Sequence, residues 1–135
     1  IKHDCFTHSR VGYGTILDLS SKGLVTIEAR AFEYAQLTGL TIGSNVTSIG
    51  ESAFAMCNNL SIITFECLHP PVLETDVTGN ATSFYRVAPI GHINIPSNAS
   101  VSEWADWMSS DPGPYSHLAD YNWSIYQNGQ KVWPE

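Results

Sequence analysis

The chain has 135 residues, 43% of them hydrophobic and 14% charged, which fits one folded domain and argues against disorder or separate cofactor and substrate lobes. Thirteen acidic residues against six basic ones leave a net charge of −7, the wrong sign for a phosphate backbone, so nucleic acid is not an expected partner. No apolar run approaches the roughly 20 residues that cross a bilayer, so membrane insertion is not expected either.

A start at Ile1 in place of Met, with no charged-then-apolar signal segment behind it, reads as a cut end. The first residues already resemble part of a repeat, with Ile1, Cys5 and Phe6 followed by Leu17 and Leu19. The first full unit carries Leu24, Ile27, Ala31, Phe32 and Ala35, then Leu37, Leu40 and Ile42. That series returns 22 residues later as Val46, Ile49, Ala53, Phe54 and Cys57, and 23 residues later as Leu60, Ile63 and Phe65. All eight positions stay apolar and four are identical. A third unit follows at an offset of 30, with Phe84, Val87, Ile90, Ile93 and Ile95, the extra residues falling between Glu66 and Thr78 around Pro70-Pro71. Four successive copies, the first partial, make coincidence an untenable reading.

Within a unit, the apolar positions 49, 53, 54, 57 and 60 have the three-and-four spacing of a helical face. Ile63-Thr64-Phe65 alternates as a strand does. Each unit therefore reads as a short helical turn followed by a short strand. Neither piece is long enough to stand alone, so burial has to come from the neighbouring unit. Stacking predicts a solenoid whose strands form a single parallel sheet.

The C-terminal part reads as a cap. Ser100 and Glu103 have capping-box spacing, and Val101, Trp104, Ala105 and Met108 share one helical face. Asp111-Pro112-Gly113-Pro114 ends that helix, Trp123 to Tyr126 reads as a final strand, and Asn128-Gly129 is a hairpin turn. The expected organisation is a repeat solenoid over residues 1–96 and a cap with a short helix and hairpin over 97–135. No cap is visible at the start, so an apolar face near Ile1, Cys5 and Phe6 is expected, available for self-association or left by truncation.

The stretch from Gly43 to Phe65 resembles the repeat of the BspA-like leucine-rich-repeat proteins. Val46, Ile49, Gly50, Ala53, Phe54, Cys57, Leu60, Ile63 and Phe65 occupy the motif positions. The unit from Leu24 departs from it at Ala35, where the family has Cys, and at Glu28, where it has Gly. The resemblance implies an α/β leucine-rich-repeat solenoid in a cell-surface or secreted bacterial protein that binds other macromolecules. It carries no catalytic residues over, because the motif is one of packing.

Residues between the inward strand positions face out and line up across units. The candidate binding face consists of Ile16, Asp18, Thr41, Ile62, Thr64, Glu66, His92 and Asn94. Trp107, off the apolar face of its helix, and Trp133, near the terminus, are candidate exposed aromatics for a sugar or protein partner. Three cysteines allow at most one bridge, and they read as small buried apolar groups. His3, Asp4 and His8 cluster near Cys5, but the repeat alignment buries Cys5 and sends its neighbours outward on a short turn, and Cys67 with His69 has no second ligand pair in sequence. No metal, no cofactor and no catalytic set is expected.

The expected function is a non-catalytic module mediating protein–protein interaction or adhesion at the cell surface or outside the cell, with a host matrix or serum protein as partner. Two alternatives stay open. One is a carbohydrate-binding accessory module, with glycan as partner; the other is a structural spacer projecting a further domain.

Overall fold

A computed structural model describes residues 14–109 and 122–134. The chain order is β1 (Thr15–Leu19), β2 (Thr26–Ile27), β3 (Leu37–Ile42), β4 (Ser48–Ile49), β5 (Ile62–Phe65), β6 (Val72–Leu73), β7 (Ile90–Ile95), α1 (Val101–Ser109), β8 (Asn122–Gln127) and β9 (Gln130–Trp133). A six-stranded sheet runs β1-β3-β5-β7-β8-β9, parallel except for the last pair. This mostly parallel sheet, with a single α-helix among the described residues, fits a repeat solenoid.

The expected single sheet is corrected to two. The pairs at β2, β4 and β6 form a second, three-stranded parallel sheet. Each of these strands has two residues, too short to leave an alternating pattern in the sequence.

The expected helical turn in each unit is also corrected. Ala31, Glu33 and Ala35 donate their N–H groups to carbonyls three residues back, whereas Arg30, Phe32 and Tyr34 donate to Glu51, Ala53 and Ala55 of the next unit at 2.8–2.9 Å. The following pair of units repeats the device, with Phe54 N–H on Ser83 and Met56 N–H on Tyr85. Alternate amides thus serve the local turn and the neighbouring coil. A continuous helix would have kept both sets to itself.

The geometry that allows this is left-handed backbone at Arg30, Tyr34, Ser52, Met56 and Arg86, with φ between 52° and 64°. Such a conformation costs an L-residue about 1–2 kcal/mol, and the hydrogen bonds between coils offset it. Three-residue turns and helices space apolar residues alike, which is why the sequence pattern did not separate them.

Stacking is visible in the core. The Phe32 and Phe54 rings lie 5.3 Å apart at 0°, and Phe54 and Phe84 lie 5.6 Å apart at 7°. All three are buried, as are Ile27, Ile49, Leu40, Ile63 and Ile93 from the facing strands. Gly50 lets the coils close: a Cβ there would stand 2.3 Å from the Ala29 nitrogen.

At the C-terminal end, α1 buries Trp104 and Met108 and packs on β8 and β9. Ser100 caps it, its Oγ accepting from Glu103 N–H at 3.3 Å. The other half of the expected capping box is replaced, because the Glu103 carboxylate lies 3.0 Å from His69 Nδ1. The residues from 66 to 73 thereby acquire a role: their backbone carbonyls at Leu68 and Pro71 accept from the indoles of Trp104 and Trp107. β8 joins the sheet beside β7, and positive φ at both Asn128 (53°) and Gly129 (76°) makes the tight turn into β9. The N-terminal positions Ile1, Cys5 and Phe6 expected to leave an open apolar face lie outside the described residues.

Candidate binding face

The repeat offsets that align the core also fix the register of the outer face. Ile16 pairs with Gly39, Gly39 with Ile62, and Ile62 with His92. Two positions further along, Asp18 pairs with Thr41, Thr41 with Thr64, and Thr64 with Asn94. The predicted rows are thus adjacent on neighbouring strands. β8 extends them by Ser124 and Tyr126, two residues that sequence reading left off the face. Trp123 to Tyr126 was legible as a strand, but its pairing with β7 was not, because it breaks the spacing of the earlier units.

The first row has an apolar relief. Ile16 is 69% and Ile62 43% exposed, and between them Gly39 has no side chain to fill the row. Ile16 leans over the glycine: a Cβ on Gly39 would meet its Cγ1 at 3.0 Å. The result is a pocket of about 270 Å³ whose floor is Gly39 and Thr41 and whose sides are Ile16, Ile62 and Thr64.

The second row is polar. Asn94 donates from Nδ2 to Thr64 Oγ1 at 3.2 Å, tying β7 to β5 across the face. Asp18 accepts from Ser20 N–H at 2.9 Å, and hydrogen bonds from the Ser20 side chain and backbone hold its carboxyl below the usual range, hence ionised. His92 lies against Tyr126 with ring centroids 4.6 Å apart. Partial burial lowers the His92 pKa and so favours its neutral imidazole. Glu66 follows β5 directly and is exposed.

The two tryptophans stand elsewhere. The exposure expected of Trp107 is corrected: it is half-buried, its Nε1 donates to Pro71 at 2.8 Å, and its ring meets Phe65, Phe84 and Trp104 edge-on at 5.5, 6.4 and 5.4 Å. A helical wheel places Trp107 off the core because it sees one packing partner, whereas α1 has two, the sheet and the residues around Pro71. Trp133 is half-buried in β9, paired with Ile125 and packed against the core.

Among the described residues the remaining reactive groups stand apart. Burial pushes the Cys57 thiol up to about 12 and the Cys67 thiol up to about 11, far from the depressed values that make a cysteine nucleophilic. Among the described residues no three His, Cys, Asp or Glu side chains are grouped to hold a metal. His3, Asp4 and His8 lie outside those residues. No described helix is long and apolar enough to cross a membrane.

The family model of the BspA type leucine-rich repeat region fits residues 1–105 in six copies, where the motif positions read directly give about four. No curated protein and no solved structure matches the chain.

Proposed function

The chain belongs to the BspA-type leucine-rich-repeat family, and from that premise we propose that it is a solenoid-shaped, non-catalytic binding module of a bacterial cell-surface or secreted protein, mediating adhesion through protein–protein contact. The contact surface is the outer face of the six-stranded sheet. One observation carries this reading: two isoleucines, 69% and 43% exposed, flank a glycine-floored pocket on a parallel part of the sheet. Apolar side chains grouped about a pocket, rather than scattered singly, mark a contact site. The Asp18-Thr41-Thr64-Asn94 row beside it supplies hydrogen-bonding groups whose spacing is set by strand pairing. Exposed apolar anchors ringed by polar groups are the usual anatomy of a protein contact.

The test is retention of proteins from serum and solubilised extracellular matrix, run beside a glycan array. Thr41→Trp lays an indole over the polar row, and Ile62→Glu puts charge at the pocket edge. Each is expected to reduce retention of a specifically bound protein at least about tenfold, equivalent to about 1.4 kcal/mol, while Tm moves by less than about 4 °C. Retention indifferent to both variants, or sugar binding in place of protein binding, overturns the reading.

A further inference from the structure

We infer that the face takes a protein segment lying along β3, with an aliphatic side chain in the Gly39 pocket and a lysine or arginine about two to four residues further along. This rests on the proposed sheet-face reading and adds the chemistry of the partner.

The pocket selects the aliphatic part. Its walls are the Ile16 and Ile62 side chains and its floor includes a glycine, so a branched aliphatic group buries apolar surface against them there.

The charge distribution selects the rest. Across β1, β3, β5 and β7 the outward positions are Ile16, Gly39, Ile62 and His92, then Asp18, Thr41, Thr64 and Asn94, flanked by Ser20, Gly43, Glu66 and Pro96. This set holds two carboxylates and no lysine or arginine. Lys22 stands in the turn after β1, outside these rows, with its carbonyl accepting from Asn45 Nδ2 at 2.6 Å, and Lys131 lies opposite Tyr126 at the far end of the sheet. Arg30 pairs with Glu33 on the turn side, and Arg86 lies over its neighbour Tyr85. Partial burial of His92 favours its neutral form.

Geometry joins the two parts. Asp18 lies two residues beyond Ile16, about 7 Å along the strand, and Glu66 lies four residues beyond Ile62, about 13 Å. Both carboxylates are therefore toward the same end of the face, downstream of the pocket. An extended segment anchored at Gly39 brings its next basic residue to that end, whereas an acidic segment meets like charge.

The experiment selects binders to the full chain from a phage-displayed library of random peptides. Enriched peptides are expected to pair Leu, Ile, Val or Met with a Lys or Arg at this spacing. Their synthetic versions should bind less well as NaCl rises from about 0.05 to about 0.5 M. Asp18→Asn with Glu66→Gln should weaken them about threefold to fivefold, and Thr41→Trp should abolish binding. Peptides lost on Thr41→Trp but lacking a basic residue, or indifferent to the carboxylate variant, overturn this inference and leave the face reading standing. Peptides that survive Thr41→Trp overturn both. No enrichment over bare support counts against the inference as well.

Discussion

The rings of Phe32 and Phe54 are parallel, 5.3 Å apart, and belong to the same position of successive repeats. With Phe84 stacked on the far side of Phe54, the column is the part of the core in which each unit covers the next. Phe54→Ala removes the middle ring and leaves a cavity bounded by two others. Chemical denaturation should show a loss of about 3–5 kcal/mol. A loss below about 1 kcal/mol would mean that the column does not couple the coils.

Gly50 and Gly39 should behave differently although both are buried glycines in the repeat region. A Cβ at Gly50 meets backbone, 2.3 Å from Ala29 N and 2.6 Å from Glu28 C, and neither coil can yield without breaking the hydrogen bond from Gly50 N–H to Ile27. The nearest atoms to a Cβ at Gly39 belong to a side chain, that of Ile16 on the outer face, at 3.0 Å. Gly50→Ala is expected to cost at least about 2–3 kcal/mol, and Gly39→Ala less than about 1 kcal/mol. Melting curves of the two variants check the contrast.

Trp107 anchors α1 to the residues around Pro71 through its indole N–H. Trp107→Phe keeps most of the ring packing but leaves the Pro71 carbonyl without that donor, a loss of about 1–3 kcal/mol. The variant should also speed amide exchange at the start of α1, measurable by hydrogen–deuterium exchange. If sugar binding, rather than stability, were what Trp107→Phe removed, the packing account of this residue would be wrong.

His92 gives the protein a pH dependence of known sign. Burial holds its folded pKa below the 6.5 of an unperturbed imidazole, so between the two values the unfolded chain binds more protons than the folded one. The contribution is fully present above about pH 6.5 and is lost as pH falls through the folded value. Tm should therefore fall less steeply between about pH 7 and pH 5 in His92→Gln than in the parent chain. An NMR titration of the imidazole with a midpoint above 6.5 would contradict this.

Cys57 and Cys67 should be inert in the folded chain. Both are buried, their thiols raised to about 12 and about 11, and Cys57 Sγ donates to the Phe32 carbonyl at 3.3 Å. Mass spectrometry after brief exposure to iodoacetamide at neutral pH should find both unmodified, and both modified in denaturant. Fast labelling of Cys57 in the native protein would contradict the burial of that turn.

The strand register was legible because offsets of 22, 23 and 30 residues map inward position onto inward position, and outward rows follow from the two-residue period of a strand. Thr41 and Thr64 could therefore be placed side by side without coordinates. What occupies the other half of each unit was not legible. The spacing of Ile49, Ala53, Phe54 and Cys57 is common to a helix and to consecutive turns, and only the destination of alternate amides distinguishes them. Two-residue strands such as β4 have no pattern to read. The pocket was hidden in the face reading because Gly39 entered it as an empty place in a row. It becomes a feature once Ile16 and Ile62 are seen to stand on either side of it.

The most direct test is an amide NMR map of the labelled chain titrated with a protein retained from serum or matrix, or with a selected peptide. The account predicts shifts concentrated at Gly39, Thr41, Ile62, Thr64 and Asn94. Shifts concentrated instead on the turn side, at Arg30, Tyr34, Ser52 and Met56, with the sheet face unmoved, would contradict it.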